Sequence, residues 1–202
     1  MHHNRVAALI LGAWMAGSLL MVFLAARNFH LADDVLKSPP PSIAAMIRTL
    51  GANQARLFLR HLVGNENRFY FSGWEQAQLA LGAALTIVLL LLARNRLLAG
   101  FSAAMLILVV FGHYKITPEL DWLSGVIEFQ PVTADSTQRD QFWKLHTMYG
   151  VMEITKLLLG VVIAGFLFTF SRRRRNTKME PDFGDTASQL RSTLPVRAKL
   201  PQ

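Results

Sequence analysis

The stretch FWKLHTMYGVMEITKLLLGVVIAGFLFTFSRRRR, residues 142–175, decides what kind of protein this is. It opens on two aromatic residues, passes through His146, Tyr149, Glu153 and Lys156, turns uniformly apolar over 157–170, and stops at Arg172, Arg173, Arg174 and Arg175. Such a stretch is a helix that crosses a bilayer with one clean half and one polar half. Basic residues flanking a span are retained in the cytoplasm, so the arginines fix the clean end there. The polar half then faces the opposite leaflet, where ionisable side chains are costly to keep and more often functional than decorative.

Composition agrees. With 52% hydrophobic and only 17% charged residues, the 202-residue chain is too apolar for an ordinary soluble domain and suits one small helical bundle. It contains no cysteine, which excludes disulfides, thiolate metal sites, iron–sulfur clusters and cysteine nucleophiles. The net charge of +8 gathers at membrane boundaries and in the tail, as the topology rule places it, so it points to a bilayer and not to nucleic acid.

Residues 6–26, VAALILGAWMAGSLLMVFLAA, form the first span, too long an apolar run for a typical cleaved signal. Gly12, Ala13, Ala16 and Gly17 give it a small-residue face on which a neighbouring helix can approach closely. From 27 to 73 the chain is expected to leave the membrane in a long connection. Broken at Pro39-Pro40-Pro41, it holds an amphipathic helix capped by Ser42, with Ile43, Met46, Ile47, Leu50, Leu57, Phe58 and Leu62 on one stripe. An aromatic belt of Phe69, Tyr70, Phe71 and Trp74 precedes the second span, 75–93. Arg94, Asn95 and Arg96 form a tight turn into the third span, 97–116, which must therefore pack beside the second. Pro118 is expected to stop that helix, before an acidic loop over 116–141. The fourth span covers 143–170. The fold predicted is all-α, a four-helix transmembrane bundle with an extra amphipathic helix between the first two spans. The membrane domain runs over 1–171, and the basic tail, 172–202, lacks apolar periodicity and reads as disordered.

Arg94 and Arg96 in the short turn and Arg172–Arg175 after the last span fall on one side, and the acidic loop on the other. Both termini are thus expected in the cytoplasm of a bacterial cell, with the chain multi-pass in the plasma membrane and the tail against anionic lipid headgroups. Arg27, His30, Glu75, Gln76, Gln78, His113, Tyr114, Lys115, His146, Tyr149, Glu153 and Lys156 then reach one level at the outer leaflet. Lys156, three residues past Glu153, can pair with it. His146 and Glu153 lie about 10 Å apart along one axis and cannot share an ion. His113 and His146 are at similar depth and can meet, with His30 above them. Two or three imidazoles with carboxylate or Met help can hold copper or zinc, and two opposed ones can hold haem. Interfacial His, Tyr and Lys also serve simply as anchors, and a Glu–Lys pair also serves to hold helices in register.

The layout resembles a known family. The first-helix GAWMAGSLLMVFLAA, the close second and third helices, the YKITP that leaves the third and the FWKLHTMYGVMEITKLLLGVV that opens the fourth are similar to the four-span, domain-of-unknown-function family typified by transmembrane protein 205-like proteins. The likeness covers roughly residues 8–170. It matches His146 to that family's Phe-x-x-Leu-His and Tyr114 with Pro118 to its Tyr-x-x-x-Pro, while Ala25-Ala26 stands where an Ala-Pro pair is usual. The resemblance implies an integral membrane protein and no settled activity.

Two functions stay open. One is binding or transport of a metal ion, haem, quinone or small solute at His113, Tyr114, His146, Tyr149, Glu153, Lys156 and Glu75, with His30, His113 and His146 as the candidate metal ligands. The other is a structural or assembly role, in which helix packing holds a membrane-protein partner or a second copy. No nucleophile–base pair, phosphate-binding Gly loop or paired acid/base signature is present, so the reading leans away from an enzyme.

Overall fold

The computed structural model describes residues 2–127 and 137–177, and the regular structure in them is entirely helical. The centre of the acidic loop, 128–136, and the tail beyond 177 lie outside the described residues. In order come α1 (His2–Lys37), α2 (Pro41–Leu50), α3 (Ala52–Ile87), α4 (Arg96–Phe111), α5 (Thr117–Ile127) and α6 (Thr137–Thr177). Two π-helical segments, Val88–Leu92 and Gly112–Ile116, continue α3 and lead from α4 into α5. The chain divides into two compact units, Met1–Gly165 and Phe166–Gln202. The first is the helical bundle described below. Of the second, the described residues are the last helical turns of α6.

Four helical stretches, His3–Lys37, Ala52–Leu92, Arg96–Ile127 and Thr137–Thr169, are long and apolar enough to cross a membrane. They point to a multi-pass integral membrane protein. Leu9, Leu19, Phe23, Leu91, Ile107, Val161 and other large apolar side chains are exposed, as lipid-facing residues are.

The breaks have local causes. α1 ends where the Ser38 N–H closes on the Asp34 carbonyl just before Pro39, because a residue ahead of proline is pushed out of helical conformation. α2 starts with Pro41 inside its first turn, where a missing N–H is harmless, and has no side-chain cap. Ser42 is therefore inside the helix and not its cap. Gly51, at φ +80°, separates α2 from α3 in a conformation that suits glycine. Arg94 takes the left-handed φ of 53° in the turn after α3. Asn95 then caps α4, its Oδ1 accepting from the Leu98 N–H at 3.2 Å.

Two expectations need correcting. The separate helix between the first two spans is α2 alone and shorter than expected, because α1 already reaches Lys37 and Ala52 onward is already α3. At 36 residues each, α1 and α3 are about 54 Å long, well beyond a hydrocarbon core of about 30 Å. Their polar ends support one another, Asn28 donating to Asn67 at 2.8 Å and Arg60 lying 3.8 Å from Asp33. Nor does Pro118 stop the third helix. In the wide turn before it the Thr117 N–H reaches the Gly112 carbonyl, and this looser ladder admits a residue with no N–H to give.

α1 packs along α3, and α3 along α4 as the short turn requires. The buried face of α1 is Ala7, Leu11, Trp14 and Ser18. Of the expected small-residue face only Gly17 meets a neighbour, the Trp74 indole. Gly12 has no side chain within reach, and Ala13 and Ala16 are exposed. Gly82 on α3 receives the Trp14 ring, and Gly160 on α6 receives Met15 and Leu11.

Candidate functional site

The buried stripe of α3 runs Glu75, Gln78, Gly82, Leu85, polar at one end and apolar at the other. Glu75 is 3% exposed, so its carboxylate has lost its water and must be satisfied by protein donors. Three come from other elements. Thr117 Oγ1 donates to Oε1 at 2.6 Å and the Tyr149 hydroxyl to the same oxygen at 3.1 Å. His113 Nδ1 lies 2.8 Å from Oε2, which puts the proton of that nitrogen toward the carboxylate. His113 and Thr117 are four residues apart across the π-helical turn, so both reach one group. Wide turns of this kind recur at functional sites.

One turn along α3, Gln78 anchors a second cluster. Its Oε1 accepts from Trp14 Nε1 at 3.1 Å and from Lys156 Nζ at 2.7 Å, while its Nε2 is buried without a partner. Lys156 is 5% exposed and also donates to Glu153 Oε1 at 2.6 Å. That pair neutralises itself, which makes two charges tolerable within the bundle.

Beside Glu75 opens a cavity of about 260 Å³, at the small end of ligand pockets. Phe29, Phe71, Leu120 and Phe142 supply its apolar wall. Asn67, Arg68, Thr117, Asp121, Ser124, His146 and Tyr149 are its polar residues besides Glu75. Asn67 is buried, and its Nδ2 has no partner. Arg68 donates to Ser124 Oγ at 2.6 Å. The His146 ring stacks on Phe142 at 5.7 Å and meets Trp143 edge-on. Phe71 stands edge-on to Tyr149 at 6.3 Å.

The sequence-derived set thus separates into groups. Glu75, His113 and Tyr149 meet, Glu153 and Lys156 pair, and His146 lines the cavity next to them. Tyr114 is exposed and its ring meets the His113 ring edge-on, centroids 4.8 Å apart, and His30 is exposed on α1. No hydrogen bond or ring contact joins His113 to His146. Among the described residues no three His or carboxylate groups gather as a metal cage, so His30, His113 and His146 do not form one. Arg94 lies in the turn between α3 and α4 and Arg96 opens α4, and residues 172–175 continue the backbone of α6. Trp14, Thr117 and Asn67 were not visible as site residues. A faint signal existed for Thr117, an oxygen four positions beyond His113. Trp14 reads only as core.

Comparison with family models, with curated proteins and with solved structures finds no match to this chain.

Proposed function

We propose that this protein binds a small solute in the cavity beside Glu75, as a membrane carrier or receptor. One observation carries the reading: a carboxylate removed from water, held by three donors from separate elements, forms part of the wall of an otherwise largely apolar void. The carboxylate is covered by its donors, and the residue also borders a space that a ligand can fill. Copper and haem are less well supported than a solute, because His113 is engaged with Glu75 and no cage forms among the described residues.

The reading includes an orientation. From Glu75 to the turn at Arg94 is about 28 Å along α3, close to one hydrocarbon thickness. With Arg94 and Arg96 cytoplasmic, the cavity opens at the outer leaflet of a plasma membrane. Membership of the four-span family, carried by Tyr114 with Pro118 and by residues 142–146, is part of the same proposal.

The test is a solute screen by thermal denaturation of the purified, detergent-solubilised chain. Compounds that bind the native state raise its midpoint with concentration. Hits that stabilise the natural chain and not Glu75→Gln support the reading, and hits indifferent to Glu75 place binding elsewhere and sink it.

An assembly role is favoured by one separate observation, the outward position of Gly12, Ala13 and Ala16 on α1. A small-residue face turned away from its own bundle suits a second helix. Cross-linking through Ala16→Cys in membranes tests it, and a purely monomeric pattern counts against it.

A further inference from the structure

We infer that the solute is a small organic monocation, an ammonium ion carrying a neutral hydrogen-bond acceptor. This rests on the binding reading above and goes on to the ligand's chemistry. Two carboxylates, Glu75 and Asp121, and one guanidinium, Arg68, line the cavity. Arg68 interacts electrostatically with Asp121, and Lys156 is engaged with Glu153, so among the described residues Glu75 is the carboxylate of the wall without a lysine or arginine partner. Its direct partners are a hydroxyl, a phenol and an imidazole, which hydrogen-bond the carboxylate where a lysine or arginine would pair with it.

The rest of the lining decides what kind of cation. A metal ion requires several fixed oxygen or nitrogen ligands in exchange for its water, and both Glu75 oxygens already accept hydrogen bonds. An alkylammonium is weakly hydrated and gains instead from ring faces and carbon walls. Phe29, Phe71, Phe142 and Tyr149 provide such rings around the space next to Glu75. Asn67 supplies the remaining feature: a buried amide on the cavity wall whose Nδ2 has no acceptor, and which a hydroxyl or carbonyl on the ligand would satisfy.

The experiment compares three probes of nearly one shape on the full chain in detergent by calorimetric titration: choline, its uncharged isostere 3,3-dimethylbutan-1-ol, and the anion 3,3-dimethylbutanoate. Choline is expected to bind at least about tenfold more tightly than the alcohol, with the anion weakest. Glu75→Gln should abolish the preference for choline over the alcohol. Phe142→Leu should weaken choline more than the alcohol, by removing a ring face without touching the charge. The probe ranking on the natural chain stands even where a variant fails to fold. If the alcohol or the anion binds as tightly as choline, the charge inference falls and the solute site survives. If none of the three binds, the monocation inference falls, and the solute reading is decided by the thermal screen and Glu75→Gln.

Discussion

Lys156 on α6 and Trp14 on α1 donate to the same oxygen, Oε1 of Gln78, at 2.7 and 3.1 Å. That single amide on α3 ties together helices from opposite ends of the chain, at a depth where water cannot substitute for a missing partner. Its partners are therefore sensitive to removal one at a time.

Lys156→Met should be strongly destabilising, by about 3 kcal/mol, because it leaves the Glu153 carboxylate without its cationic partner. Lys156→Met with Glu153→Leu should recover most of that loss, since two apolar residues leave no unpaired charge. Unfolding in mixed micelles measures both, and a double variant no better than the single one would show that the pair does not act as a unit.

Gly17 and Gly12 should respond oppositely to the same change. A β-carbon at Gly17 would run into the Trp74 ring, so Gly17→Ala is expected to cost about 1–3 kcal/mol, relieved by adding Trp74→Leu. Gly12 has open space, and Gly12→Ala should be neutral or stabilising by up to about 1 kcal/mol through helix propensity. Thermal midpoints of the three variants check this.

Tyr149→Phe and Thr117→Val each remove one donor from a buried carboxylate and should each cost about 2 kcal/mol. Both bonds fall on Oε1 of Glu75, so the double variant should depart from the sum of the singles. Strict additivity would mean that the two donors act independently of the shared oxygen.

The orientation is open to direct measurement, because the chain has no cysteine and an introduced thiol reports alone. Ser38→Cys, between α1 and α2, should react with an impermeant maleimide on intact cells. Arg96→Cys, beyond the turn after α3, should react only after permeabilisation. Equal labelling of both on intact cells would overturn the assignment of Arg94 and Arg96 to the cytoplasm.

The bundle was legible in the sequence because lipid imposes a simple code: long apolar runs cross, and arginines flank them. Helix length beyond the bilayer was not. The ends of α1 and α3 are polar, and they stay helical because Asn28 meets Asn67 and Asp33 meets Arg60, partners far apart in the chain. Pro118 misled because its usual effect on a helix presumes a regular ladder, and the π turn before it is irregular. At the site, the order of the helices pointed to the same end of the bundle for Glu75, His113 and Tyr149, which meet there. Partner choice was not, since it depends on how each helix is rotated about its axis. His113 met Glu75 and not His146 for that reason.

The position of Glu75 also bears on how the protein is made. Translation delivers α3 before α4, α5 and α6, so Glu75 and Gln78 meet the bilayer before His113, Thr117, Tyr149 and Lys156 have been synthesised. Until those arrive, the Glu75 carboxylate lacks the three donors it has in the finished bundle. Maturation of this helix thus waits on the C-terminal third of the polypeptide, and chains cut short after the Arg94 turn would present an orphaned acid to quality-control proteases.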